Sequence, residues 1–154
     1  MAIDGVTTCL WFDDQAEEAA QFYVATFPGS KIVSTSYYAT DAQKPEGSVL
    51  TVELELFGQR FLALNGGPHF THSPAISFQV FCDTQNEVDR LWDALVSGGG
   101  EESMCGWCSD RFGVSWQIIP RRLTELLSSA DADVARRTTE RMMTMRKIVI
   151  ADLG

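Results

Sequence analysis

The sequence predicts an α+β fold in which two copies of one βαβββ module form a curved mixed sheet, followed by C-terminal helices. Residues 8–23 and 77–92 share one pattern at a constant offset of 69, which pairs Thr8 with Ser77. Each copy has an alternating strand, an acid, a polar turn and an amphipathic helix. A repeat of this length indicates one supersecondary unit used twice. The 154 residues suit one domain, or two small modules that share a core.

The first module, at about residues 1–67, begins with a predicted strand at 6–12 whose side chains alternate between two faces. Asp13 or Asp14 is a candidate N-cap for the helix that follows, and Pro28-Gly29 ends that helix. The rest of the module is predicted as a strand at 31–38, a polar loop at 40–47, and a hairpin of strands 49–57 and 60–65.

The second module, at about residues 74–120, repeats this order after an intermodule loop. Its helix is predicted at 85–97, where three glycines end it. Three short strands follow, at 101–104, 107–110 and 115–119.

Residues 121–154 lie beyond the repeat and are predicted to form a helical extension and a tail. Helices are expected at 123–130 and 131–145, and the tail at 148–150 is strand-like. One apolar stripe of the second helix serves as a packing surface, with a subunit contact as a natural use; it contains Val134, Thr138, Met142 and Met145.

Composition narrows the classes of partner. A net charge of −9 argues against nucleic-acid binding, because a phosphate backbone selects Lys- and Arg-rich surfaces. The sequence has no apolar run of about 18 residues and no secretory leader pattern, so we expect no membrane segment and a cytoplasmic location.

Three sets of residues are candidates for chemistry. Cys105 and Cys108 form a single C-x-x-C motif, which is too few ligands for zinc, because a zinc site needs about four. A redox role of this cysteine pair is left open. The two histidines, His69 and His72, lie in the intermodule loop and are expected at the surface. Cys9 and the Asp110–Arg111 turn are candidates for enzyme chemistry, although no nucleophile–base pair is visible.

Nine short stretches together resemble a known family and extend over nearly the whole chain. They are residues 9–13, 17–19, 22–23, 27–28, 61–68, 76–80, 105–107, 112–120 and 145–148. They resemble the PhnB-like branch of the vicinal-oxygen-chelate superfamily, which includes glyoxalase I, extradiol dioxygenases and the bleomycin- and fosfomycin-resistance proteins. The branch often carries the label 3-demethylubiquinone-9 3-methyltransferase domain.

The resemblance implies the glyoxalase/bleomycin-resistance/dioxygenase fold and a homodimer, with exchange of modules between subunits left open. It places the metal-ligand positions of metal-dependent members at Thr8, Ser77, Gln117 and about Ala63, with Asn65 as an alternative to Ala63. None of these side chains is ionisable, so we expect no metal and no other cofactor. The sequence also lacks the Gly-rich turn that a nucleotide-bearing methyl donor usually requires, so methyltransferase activity is not expected.

The function predicted from these residues is a metal-free pocket for an amphipathic or aromatic small molecule. The expected floor contains Thr8, Leu10, Phe12, Ser77, Gln79, Phe81 and Gln117, with Asn65 and Trp107 at the rim. Alternatively, Gln79 and Gln117 bond each other across the pseudo-twofold and join the halves without a ligand. An enzyme with an unidentified substrate and a structural or partner-binding dimer module are the remaining alternatives.

Overall fold

The structure is a computed structural model that describes residues 5–41 and 43–154. The predicted boundaries at residue 1 and part of the predicted loop at 40–47, namely Ala42, fall outside these residues. The chain forms two units, of which the first ends at Thr71 and the second runs from His72 to Gly154. The C-terminal extension therefore belongs to the second unit.

The first unit contains the five elements that the repeat predicts. In chain order they are β1 (Thr8–Phe12), α1 (Ala16–Thr26), β2 (Lys31–Tyr37), β3 (Val49–Leu56) and β4 (Gln59–Asn65). The strand order is β1-β4-β3-β2, with β1 parallel to β4 and the other pairs antiparallel. Helix α1 packs on β3 and β4 and buries Ala16, Ala19, Ala20 and Tyr23.

The second unit repeats this topology, which confirms the predicted duplication of a βαβββ module. Its elements are β5 (Ser77–Cys82), α2 (Gln85–Val96), β6 (Glu101–Glu102), β7 (Trp107–Ser109) and β8 (Ser115–Pro120). The strand order is β5-β8-β7-β6, and β5 is parallel to β8. Helix α2 begins with a capping box: the Thr84 side chain accepts a hydrogen bond from the Glu87 amide, and the Glu87 carboxylate accepts one from the Thr84 amide.

The C-terminal extension forms α3 (Arg121–Leu127), α4 (Ala132–Met142) and a short 3₁₀ helix at Ile150–Asp152. The prediction of a strand-like tail is wrong. Backbone groups of the tail bond a loop and a helix instead of a strand: Cys105 N donates to Met145 O over 2.7 Å, and Gln85 Nε2 donates to Ile148 O over 3.1 Å. The apolar tail is nevertheless packed, because Ile148 is fully buried.

The predicted apolar stripe of the last helix is confirmed as a packing surface. Val134, Met142 and Met145 contact a buried cluster composed of Ile119, Leu123, Leu126, Ile148 and Leu153. The stripe is therefore used inside the second unit. This use removes the reason that the sequence offered for a subunit contact at this helix.

Candidate functional site

The two faces of the first sheet differ, and Asn65 shows which face carries α1. Asn65 Oδ1 accepts a hydrogen bond of 2.8 Å from Ala16 N at the first residue of α1. Paired residues on adjacent strands share a face of the sheet, and the register pairs Phe12 with Asn65 and Leu10 with Ala63. Leu10 and Phe12 are each 4% exposed. The residues of β1 that were predicted to form a pocket floor therefore lie beneath α1.

This placement corrects the predicted positions of Thr8, Leu10, Phe12 and Asn65. The buried residues of β5 are Val80 and Cys82, so the structural equivalents of Leu10 and Phe12 lie at an offset of 70. A register error of one residue moves every side chain of a strand to the opposite face. The offset of 69 therefore matched the covered face of β1 with the open face of β5.

Asn65 is a structural residue rather than a rim residue. It also replaces the predicted N-cap: the N-cap position is Gln15, whose side chain makes no capping bond, and neither Asp13 nor Asp14 caps the helix. Asn65 Nδ2 additionally donates to Val49 O over 3.0 Å. One buried amide thus connects the start of α1 with two strands.

We expect Asn65→Ala to lower the free energy of unfolding by about 2 kcal/mol, because one buried and one partly buried hydrogen bond are lost and the Ala16 amide stays buried without a partner. Urea denaturation measures this change. Gln15→Ala is the matched control and should change stability by less than about 0.5 kcal/mol, since its side chain does not cap the helix. Equal losses in the two variants would contradict the capping role of Asn65.

The second sheet presents the predicted polar residues on its open face. Val80 and Cys82 are buried, so Ser77, Gln79 and Phe81 of the same strand point to the opposite side. The register places Gln79 opposite Gln117, and Gln117 opposite Trp107. The side chains of Gln79, Gln117 and Trp107 thus form a row across β5, β8 and β7, which we call the amide row.

The two glutamines of the amide row are held by hydrogen bonds that run in one direction, from Gln79 to Gln117 and from Gln117 to Ser77. Gln79 Nε2 donates to Gln117 Oε1 over 3.0 Å, and Gln117 Nε2 donates to Ser77 Oγ over 2.7 Å. The expected bond between the two glutamines therefore exists. The prediction that it crosses the pseudo-twofold is wrong, because both residues belong to adjacent strands of one sheet.

A cavity of about 510 Å³ lies over this face within the second unit. Its volume falls in the range of about 300–1,000 Å³ that is typical of small-molecule sites. The amide row and the hydroxyl-bearing residues Thr124 and Ser128 form the polar part of the lining, and the C-terminal extension forms a second wall. The lining residues are Gln79, Phe81, Cys105, Trp107, Gln117, Ile119, Leu123, Thr124, Leu127, Ser128 and Met142.

Sequence reasoning identified four of the five lining residues on the sheet face, namely Gln79, Phe81, Trp107 and Gln117, and missed Ile119, the partner of Phe81 in the register. It missed the wall formed by the C-terminal extension. The available signal was helical spacing: Leu123, Thr124, Leu127 and Ser128 occupy positions i, i+1, i+4 and i+5, which share one side of a helix.

The residues at the expected metal-ligand positions do not fit a divalent ion. In the second unit, Ser77 and Gln117 are neutral and are hydrogen-bonded to each other. In the first unit, the corrected register makes Cys9 and Leu62 the open-face equivalents of Gln79 and Gln117. Across residues 5–41 and 43–154, no group of three or more His, Cys, Asp or Glu side chains could hold a metal ion.

A nucleotide-bearing methyl donor does not fit the glycines after β4 either. A Cβ at Gly66 would lie 2.3 Å from the Trp11 ring, so the absence of a side chain there makes room for the indole. Trp11 Nε1 donates to Gly67 O over 2.8 Å and holds that ring in place. These glycines accommodate a tryptophan of their own unit rather than a phosphate group.

The C-x-x-C motif does not have the environment of a redox pair. Cys108 is 2% exposed, and desolvation, together with the nearby Asp110 carboxylate, raises the pKa of its thiol to about 12. A reactive thiol needs a lowered pKa. Cys82 behaves in the same way, since burial raises its pKa to about 11.

We expect the free energy of unfolding to decline as the pH rises above about 9 and to keep declining toward 12. Unfolding returns both buried thiols to an ordinary pKa of 9.0, so the unfolded chain loses protons that the folded chain retains. Urea midpoints measured from pH 8 to 11 give this slope. The double variant Cys82→Ala, Cys108→Ala should give a shallower decline, and identical slopes would contradict the assignment.

The other candidates for chemistry have structural environments. Asp110 is buried, and its carboxylate accepts three hydrogen bonds, among them one of 2.9 Å from Trp116 Nε1. The Arg111 guanidinium lies 4.6 Å from the centre of the Phe112 ring. His69 is exposed as predicted, whereas His72 is half-buried.

Two units of βαβββ topology, each with a four-stranded mixed sheet, define a protein of the vicinal-oxygen-chelate fold. A family model described as 3-demethylubiquinone-9 3-methyltransferase matches residues 4–119. The PhnB protein from Bacillus cereus is 35% identical, with a TM-score of 0.69 over 76% of this chain and 99% of that chain. The chain therefore belongs to the 3-demethylubiquinone-9 3-methyltransferase family, in its PhnB-like branch.

More distant structures share the fold. A Pseudomonas aeruginosa protein is 21% identical, with a TM-score of 0.60 over 75% of this chain and 96% of that chain. The fosfomycin resistance protein FosX from Listeria monocytogenes is 10% identical, with a TM-score of 0.51 over 78% of this chain and 94% of that chain. The sequence matches none of the curated proteins. Among the helices that the structure describes, none is long and apolar enough to cross a membrane.

Proposed function

We propose that the second unit binds an amphipathic or aromatic small molecule without the help of a metal. The observation that carries the proposal is the cavity of about 510 Å³, in which a fixed polar row lies among aromatic and aliphatic side chains. Such sites combine apolar lining with a few placed hydrogen-bonding groups. Trp107 and Phe81 offer aromatic surface, and Leu123 and Leu127 offer aliphatic surface on the second wall.

The family name suggests one ligand of this kind, because a demethylubiquinone is a flat ring with an apolar substituent. We propose binding rather than methyl transfer, since the residues present do not fit a methyl donor. We keep the homodimer as part of the proposal on the strength of the family resemblance. Size-exclusion chromatography with light scattering tests it, and a monomer at micromolar concentration would reject it.

The proposed function is tested with a metabolite screen by thermal shift, because a ligand that binds only the folded state raises the apparent stability. Each hit is retested on Thr124→Trp, which places an indole in the cavity, and on Glu125→Trp, its neighbour outside the lining. We expect Thr124→Trp to abolish the shift and Glu125→Trp to retain it. Equal shifts in both variants would reject the cavity as the site, and a hit consumed on incubation would identify an enzyme.

A further inference from the structure

In the described part of the chain, the lining of the cavity carries no charged side chain, and this restricts the charge of a ligand that can bind there. The described residues that line it include no Asp, Glu, Lys, Arg or His. Three arginines lie within two residues of this lining in the sequence, and each guanidinium is already engaged. Arg121 pairs with Asp83 over 3.1 Å and lies 5.4 Å from the centre of the Phe81 ring. Arg122 pairs with Glu125 over 3.3 Å, and Arg141 Nη1 donates to Asp152 O over 3.3 Å. An ionised group placed in the cavity would lose water without gaining a counter-charge, which is unfavourable.

The hydrogen-bond chain leaves particular groups available to a ligand. Because Gln79 donates to Gln117 and Gln117 donates to Ser77, the chain begins at the Gln79 amide. Gln79 Oε1 accepts no bond from any residue within the described part of the chain. Trp107 Nε1 likewise donates to none of the described residues. The groups of the amide row left to a ligand are thus the Gln79 carbonyl oxygen, the second N–H of the same amide and the indole N–H of Trp107.

Since a carbonyl oxygen with two lone pairs prefers a donor, the ligand should bring an N–H or O–H group to Gln79. We infer, on the basis of the proposed function, that the site selects a neutral, flat molecule that presents a hydrogen-bond donor at its edge. Phenols, lactams and primary amides have this chemistry. Carboxylates of the same size do not, because they bring a charge that no described side chain of the lining neutralises and no donor for Gln79 Oε1.

Three probes of nearly equal size separate these requirements: 2-naphthol, 2-methoxynaphthalene and 2-naphthoate. All three contain the naphthalene ring. Near neutral pH, 2-naphthol carries a hydrogen-bond donor, 2-methoxynaphthalene carries only an acceptor, and 2-naphthoate carries a negative charge. Isothermal titration calorimetry at pH 7 measures their affinities. We expect 2-naphthol to bind about fivefold more tightly than 2-methoxynaphthalene, the value of one net hydrogen bond. It should bind more than about tenfold more tightly than 2-naphthoate.

Substitutions at Gln79 test whether this acceptor causes the preference. Gln79→Met removes the acceptor and keeps a side chain of similar length, so the affinities for 2-naphthol and 2-methoxynaphthalene should become equal. Gln79→Glu loses the N–H that donates to Gln117 but keeps an acceptor oxygen for the ligand, so it should retain the preference for 2-naphthol and weaken 2-naphthoate further. The matched control is Gln59→Met, an exposed glutamine on β4 of the first unit, and it should leave all three affinities unchanged.

The outcomes distinguish this inference from the proposed function. If 2-methoxynaphthalene or 2-naphthoate binds as tightly as 2-naphthol, and Thr124→Trp abolishes that binding, the ligand class is wrong and the cavity remains the site. If Thr124→Trp leaves the binding of 2-naphthol unchanged, or if no probe binds at millimolar concentration, both the ligand class and the proposed function are wrong.

Discussion

Replacing Asp110 by alanine is expected to destabilise the protein by about 4 kcal/mol, because three donors lose their acceptor and two of them stay buried. Asp110 Oδ1 accepts from Phe112 N and Val114 N, over 2.9 and 3.1 Å. Its Oδ2 accepts from Trp116 Nε1 over 2.9 Å. The carboxylate therefore holds the turn between β7 and β8, the two strands that carry Trp107 and Gln117.

Urea denaturation monitored by tryptophan fluorescence measures the effect of the Asp110 substitution. Asp110→Asn keeps one acceptor oxygen and should lose about half as much stability as Asp110→Ala. Asp14→Ala, which removes an exposed carboxylate, is the control and should fall within about 0.5 kcal/mol of the original protein. A loss under about 1 kcal/mol for Asp110→Ala would show that the turn forms without this carboxylate.

Replacing Ile148 by alanine is expected to cost about 3 kcal/mol, the usual cost of truncating a fully buried aliphatic side chain. Ile148 is 0% exposed and packs in one cluster with Ile119 and Leu123, both of which line the cavity. The substitution should therefore also loosen one wall of the cavity. We expect weaker binding of any ligand found there, in addition to the loss of stability.

Val149→Ala provides the matched control for Ile148, because it shortens the neighbouring side chain, which is 36% exposed. It should cost less than about 1 kcal/mol. Chemical denaturation of both variants gives the comparison. Similar losses for the two positions would mean that the tail does not pack as described, and that the cavity wall does not depend on it.

The order of elements could be predicted from the sequence because local patterns determine it. Alternating side chains specify a strand, glycines end a helix, and the turn at Gly58 specifies a hairpin. Each of these signals lies within a few residues of the element that it specifies. The repeat then supplied the topology, since two similar patterns of this length form similar units. The 35% identity to a PhnB protein supports the same family.

The face of β1 could not be predicted, and this error moved four candidate site residues. Residues 9–12 read Cys-Leu-Trp-Phe and are apolar on both sides of the strand, so alternation does not show which side is covered. The choice is made by contacts distant in sequence, such as the bond between Asn65 and Ala16. In β5, by contrast, Ser77 and Gln79 are polar and mark the open face directly.

The tail was assigned to the wrong structure for a related reason. Ile148-Val149-Ile150 has the composition of a strand, but a strand needs an edge with which to pair. Gln85 instead provides both partners through its side chain: Nε2 donates to Ile148 O, and Oε1 accepts from Ile150 N over 2.8 Å. A glutamine side chain that substitutes for a neighbouring strand leaves no periodic signal in the sequence.

The most direct test of the cavity as a ligand site is the set of indole N–H signals in a ¹H–¹⁵N spectrum during titration with 2-naphthol. Trp11, Trp92 and Trp116 donate their indole N–H groups to Gly67 O, Glu102 Oε1 and Asp110 Oδ2. Trp107 lines the cavity. We predict that the Trp107 signal and the side-chain amide signals of Gln79 and Gln117 shift with saturation, while the other three indole signals stay in place. Saturable shifts at Trp11 with none at Trp107 would contradict the assignment of the site to the second unit.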